Sequence, residues 1–143
     1  MPYMRILLHD PGPLGKAVSG GIKMSYDIRL GVKVADVDGL IVEVARPEYD
    51  TPTYNLRDMF VACMDWDYTQ SEWYRVVDVL PKIERGIHEL RFNAKKYRKY
   101  NPPNGWGDLE GALECLKSVL ECIQNNTNGW ENEIPIEHLW YKW

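Results

Sequence analysis

Seven residues, Asn101-Pro-Pro-Asn-Gly-Trp-Gly107, constrain this chain more than any other stretch. Two prolines remove amide donors and two glycines permit a sharp reversal, so the segment fits neither a helix interior nor a central strand. It is a shaped turn. Before it, Ile83, Ile87, Leu90, Ala94 and Tyr97 run down one helical stripe. After it, Leu109, Leu113, Leu116, Val119, Leu120 and Ile123 run down another. Pro81 suits the first turn of the earlier helix. Asp108 and Glu110 supply carboxylates where the later helix starts and its dipole favours them. Asn125 to Gly129 ends that helix. The chain must fold around two long helices joined by a reversal.

The remaining pattern is mixed. Residues 1–23 read as an irregular arm, with a short strand over Met4 to Leu8 and loop from Pro11 to Gly21. Tyr26, Ile28 and Leu30 alternate with Asp27 and Arg29, and Leu40 to Val44 is β-branched, so a β-hairpin turning at Asp36-Val-Asp-Gly39 is expected. Asn55 reads as an N-cap with Asp58 in the capping-box position, opening a short helix whose buried face is Leu56, Met59, Phe60 and Cys63. Ser71 to Leu80 is ambiguous, with Trp73, Val76, Val77 and Leu80 at helical spacing. Ile134 to Trp143 reads as a last strand that pairs with the hairpin. The expected fold is a single α+β domain over 1–143. In it a small, mostly antiparallel sheet, made of the hairpin and the C-terminal strand, packs against two long helices and a shorter one.

Charge and cysteine usage narrow the function classes. With 17 Lys and Arg against 21 Asp and Glu, the net charge of −4 does not suit a polycation that coats nucleic acid or an anionic membrane. No apolar run reaches the roughly 18 residues of a membrane span, and His9-Asp10-Pro11 interrupts Ile6-Leu7-Leu8 too early for a signal peptide. Cys63, Cys115 and Cys122 form no CxxC pair, and Cys115 and Cys122 fall inside a helical pattern as small hydrophobes, which fits a reducing cytoplasm. The aromatic count is the oddity: six Trp and nine Tyr stand beside two Phe. Rings with a polar handle suit surfaces half apolar and half wet, a bias towards recognition.

Three segments together carry a resemblance. Met24-Ser-Tyr-Asp-Ile28, Thr53-Tyr-Asn55 leading to Met59-Phe60, and Tyr100 to Gly107 before Leu109-Glu-Gly-Ala-Leu113 resemble a family of small, uncharacterised bacteriophage and prophage proteins. The resemblance spans about Met24 to Asn125. It implies a mobile-element context, an accessory role in the host bacterial cytoplasm, and no particular reaction.

Candidate site residues cluster in two places. Lys95-Lys-Tyr-Arg-Lys-Tyr100 precedes the turn, and an exposed helix N-terminus offers amides to an anion. Arg98, Lys99, Tyr100, Asn101, Asn104 and Trp106 are therefore candidate ligand-binding residues, with Tyr54 and Asn55 beside them as a second set. Tyr100 or Trp106 would stack on a base. The ordinary reading is that Tyr97 and Trp106 lid the core and the lysines complement the helix dipole. The second place is the tail, where Trp130, Trp140, Tyr141 and Trp143 are candidates for binding a partner protein. As a strand, it would point Leu139, Tyr141 and Trp143 to one side and Trp140 and Lys142 to the other.

No catalytic, metal or cofactor set emerges. Gly12 to Lys16 lacks the spacing and hydroxyl of a phosphate loop, Asp36 and Asp38 lack the other ligands of a calcium site, and His9, His88 and His138 are isolated. An active site assembled in space stays open. The leading expectation is a phage accessory protein that binds and inhibits a host defence protein. The alternatives are a sponge for a nucleotide immune signal, and a nucleic-acid binder; a homo-oligomer is compatible with each.

Overall fold

The computed structural model describes residues 5–7 (backbone only), 25–34, 39–69, 72–128 and 132–143. Five antiparallel strands form one sheet in the order β1-β3-β2-β5-β4. They are β1 (Arg5–Leu7), β2 (Arg29–Lys33), β3 (Ile41–Ala45), β4 (Trp73–Arg75) and β5 (Leu139–Lys142). The helices are α1 (Arg57–Met64), α2 (Val76–Phe92), the short α3 (Ala94–Tyr97) and α4 (Leu109–Thr127).

The α+β class, the hairpin and the pairing of the tail with it are as expected. Leu30 stands opposite Tyr141 and Val32 opposite Leu139. Two strands extend that picture. The short strand expected over Met4 to Leu8 forms at Arg5–Leu7 as the edge strand beside β3, and Trp73–Arg75, ambiguous in the sequence, pairs with β5 at the other edge. The residues between Tyr26 and Ile28 bond not to the hairpin but to the connector, Tyr26 N–H to the Pro52 carbonyl and Ile28 N–H to that of Asp50.

Helix α2 starts five residues earlier than Pro81 suggests, directly after β4. Pro81 therefore sits in the second turn rather than the first, where it leaves the Val77 carbonyl without its helical donor. Burial of Val76 and Val79 on the core side offsets that loss, an instance of tertiary packing overriding a local signal. The stripe to Tyr97 is also broken once, at Asn93, whose φ of −124° and ψ of 34° separate α2 from α3.

The core lies between one sheet face and the helices. Leu30, Leu139, Tyr141 and Trp143 pack with Met59, Phe60, Ile83, Leu116 and Val119, all fully or almost fully buried. At its centre the Trp143 ring stacks on Tyr68, with centroids 5.0 Å apart and planes 14° from parallel, and meets Phe60 at 4.9 Å. Tyr68 Oη donates to Tyr26 Oη at 2.8 Å, whereas the Tyr141 hydroxyl and the Trp143 indole N–H are buried without a hydrogen-bond partner among the described residues. Cys63, Cys115 and Cys122 are buried free thiols, as their helical positions predict.

Candidate functional site

The reversal between the long helices is built by backbone restrictions acting in series. Pro102 pushes Asn101 out of the helical region, to ψ 127°, which stops the 3-10 turn Arg98–Tyr100. Gly105 N–H then closes a tight turn onto the Pro102 carbonyl at 3.1 Å. The Asn104 side chain accepts from Trp106 N–H at 2.9 Å, an Asx turn. Gly105 and Gly107 take φ values of 77° and 104°, which side-chain-bearing residues rarely adopt.

Gly107 also brings the two candidate sets together. A Cβ there would come within 2.7 Å of Thr53 Cγ2 and 3.1 Å of Leu56 Cγ, so the turn seats directly on the segment that carries Tyr54 and Asn55. That segment is a 3-10 turn, Tyr54–Leu56, capped by Thr53. Asn55 is not the cap: its N–H and its side-chain amide both reach Thr53 Oγ1, at 3.3 and 3.2 Å. Threonine two residues earlier does the work because the chain enters α1 through a 3-10 turn. Tyr54 and Asn55, with Arg57 and Asp58, line a depression of about 490 Å³. Tyr54 is half-buried and 5.5 Å from the Tyr26 ring.

The anion site expected at the start of α4 is already filled from within. Asn101 Oδ1 accepts from Leu109 N–H at 2.9 Å, Asp108 Oδ1 accepts from Gly111 N–H at 2.7 Å, and the Asp108 carbonyl accepts from Ala112 N–H. Asn101 and Asp108 are thus capping residues, which corrects the reading of Asn101 as a ligand contact. Arg98 is likewise committed: its Nη1 lies 3.1 Å from Glu110 Oε2. Tyr100 is half-buried, stacks on Tyr97 and packs against the core, so its ring is not free for a base. Lys99 sits over the Tyr100 ring at 5.3 Å. Burial and the Glu89 carboxylate that accepts its proton push Tyr97 up to about 12.

What remains outward is Trp106. Its side chain is 62% exposed at the tip of the reversal, beside the exposed Asn104. The expectation that Trp106 lids the core therefore fails, because Gly107 rather than the indole makes the contact with the body.

The tail divides differently from the expected aromatic patch. Tyr141 and Trp143 are 0% and 1% exposed, so neither is a partner-binding residue; alternation in β5 turns both to the helices. Trp140 is half-buried on the opposite face. Trp130 lies outside the described residues, as do His9, Gly12 to Lys16, Asp36 and Asp38.

A further groove escaped the sequence reading. A groove of about 900 Å³ runs between the connector at residues 48–51 and the outer flank of α4. Among the described residues, Glu48, Asp50, Glu110, Glu114 and Glu121 line it against one cation, Lys117. Tyr49 N–H donates to Ser118 Oγ at 2.8 Å and ties its walls together. The spacing of Glu110, Glu114 and Glu121 on one helical flank was the available signal. The groove repels anions.

The buried thiols are poor nucleophiles: burial lifts Cys63 to about 12, against the opposing charge of Arg85, and raises Cys115 further. Among the described residues, no group of three or more His, Cys, Asp or Glu side chains is placed to hold a metal ion. No described helix is long and apolar enough to cross a membrane. Comparison with known family models, curated proteins and solved structures finds no match.

Proposed function

We propose that this chain acts by binding a host protein, as a phage-borne accessory factor that blocks a defence component, with Trp106 as the anchor of the contact. The observation that carries the reading is the 62% exposure of Trp106 on a turn in which the Gly105, Trp106 and Leu109 amides are bonded internally. A large ring displayed on backbone that is already ordered loses little entropy on docking, and tryptophan dominates the hot spots of protein interfaces. The phage and counter-defence setting rests on the resemblance of the three segments. The sponge alternative draws less support, since the α4 amides, Arg98 and Tyr100 are each committed elsewhere.

The test uses tagged wild type and Trp106→Ala in a host that carries the defence systems of its species. Wild type should recover one protein in stoichiometric amount and restore plating of a restricted phage. Trp106→Ala should weaken capture by about 30-fold or more, the scale of a hot-spot residue, with an unchanged melting temperature. Equal capture by the variant, or no stoichiometric partner, would overturn the reading.

A further inference from the structure

The sheet has a second face, and its composition is unlike the rest of the chain. Pairing places Arg29, Gly31 and Lys33 of β2, Trp140 and Lys142 of β5, Trp73 and Arg75 of β4, and Ile41 and Glu43 of β3 on the side away from the helices. Their neighbours Leu30, Leu139 and Tyr141 supply the core. In a chain of net charge −4, those nine positions carry four cations and one carboxylate. Among the described residues, Glu43 is bridged by Arg29 at 3.6 Å and Arg46 at 3.1 Å, and Asp27 pairs with the same two arginines.

Two tryptophans sit among the cations. Trp73 and Trp140 are half-buried and stand outside the core cluster. Trp140 is directly opposite Arg75 in register, which puts Trp73 on the diagonal, at about 7–8 Å between side-chain bases. Gly31 makes room for Trp73: a Cβ at that position would lie 3.0 Å from two of its ring atoms. Lys142 Nζ lies 5.8 Å from the Trp73 ring and Lys33 Nζ 5.5 Å from that of Trp140. Arg75 is exposed at the outer edge.

We infer that this face is a platform for a single-stranded nucleic acid, whose bases stack on Trp73 and Trp140 while Lys33, Lys142 and Arg75 attract its phosphates. Flat rings with interleaved cations fit unpaired bases, because each base must leave its own stack to present a face. A duplex offers phosphates but no such faces. The inference is independent of the Trp106 contact, which lies at the helix reversal rather than on the sheet.

The experiment measures anisotropy of a labelled 15-nucleotide oligo-dT with the full chain, together with quenching of the protein's tryptophan fluorescence. Three phosphate contacts imply about 20-fold weaker binding when salt rises fourfold. Trp140→Ala should weaken binding by about 10-fold or more, the range for loss of one stacked base. Arg75→Glu, at an exposed position that leaves the core intact, should weaken binding and flatten the salt dependence. Trp106→Ala should bind as wild type, which separates this surface from the protein contact. The inference is overturned if no binding occurs at tens of micromolar protein in low salt, or if both sheet variants bind as wild type. Equal affinity for duplex of the same length overturns it too, as does equally effective competition by polyglutamate, which would mark an acidic protein as the occupant.

Discussion

Replacing Gly107 with alanine tests whether the reversal is seated on the body or merely tethered to it. Two costs add at this position. A φ of 104° is left-handed backbone, which costs an L-residue about 1–2 kcal/mol. The new Cβ would also lie 2.7 Å from Thr53 Cγ2 and within 3.2 Å of two Leu56 side-chain atoms, and relieving such overpacking costs about 1–3 kcal/mol. Together they amount to about 2–5 kcal/mol, a large share of the roughly 5–15 kcal/mol that holds a domain of this kind together. Gly105 supplies the control. Its φ of 77° carries the same backbone cost, yet nothing lies within 4 Å of its would-be Cβ. Gly105→Ala should cost only about 1 kcal/mol, because alanine also restricts the unfolded chain. Urea unfolding followed by far-UV circular dichroism reads both values. Equal destabilisation of the two variants, within about 0.5 kcal/mol, would refute the contact between the turn and the Tyr54–Asn55 segment.

The other predictions address caps, charges and titration. Asn101→Ala and Asp108→Ala should each lower stability by about 1 kcal/mol in the same unfolding assay, since each frees an amide at the start of α4. Arg98→Ala should change stability by less than about 1 kcal/mol, as both partners of its ion pair are exposed; a larger loss would mean the pair organises the turn. Cys63, Cys115 and Cys122 should resist Ellman's reagent at pH 8 in the folded chain and all react in denaturant. Alkaline stability follows from Tyr26, whose folded value is raised from 10.0 to about 12, chiefly by burial. Raised in the fold, it contributes fully below pH 10 and loses that contribution as pH climbs towards 12. Chemical unfolding measured from pH 9 to pH 12 should show that fall, less steeply in Tyr26→Phe.

The parts of the fold legible in the sequence are those where local pattern and tertiary need agree. The stripe of α4 and the alternation of β5 each place apolar side chains at the period their element requires. Helix α4 forms where the pattern puts it, and β5 forms over Leu139–Lys142, the later part of the strand expected from Ile134 to Trp143, whose earlier part holds the 3-10 turn Ile136–His138. The misplaced features are those in which packing overrules a local rule. Pro81 is a good opening residue for a helix, but Val76 and Val79 have core to bury and draw the helix back past it. Asn55 is a good cap, but the chain enters through a 3-10 turn that is capped two residues earlier, at Thr53. Trp73–Arg75 is too short to show an alternation, and only the partner strand β5 makes it a strand.

The candidate site was legible as a place and not as a chemistry. Asparagine, proline and glycine mark the reversal, yet the same asparagines that suggest ligand contacts are the groups that satisfy its amides. A segment dense in hydrogen-bonding residues beside a helix end has two ways to fill that end, from outside or from itself, and spacing alone does not separate them. Net charge alone does not decide the matter, for a related reason. The total of −4 argues against a nucleic-acid surface, but attraction follows the local field rather than the sum. In this fold the carboxylates of the connector and of α4 gather along one groove, and cations gather on the far face of the sheet. The pattern that divides them is the alternation of β2 and β5, where Arg29, Gly31 and Lys33, and Trp140 and Lys142, alternate with Leu30, Val32, Leu139 and Tyr141, which turn inward. Strand period therefore sorts charge as well as hydrophobicity, and an acidic chain can present a basic face wherever a half-buried sheet sets the period.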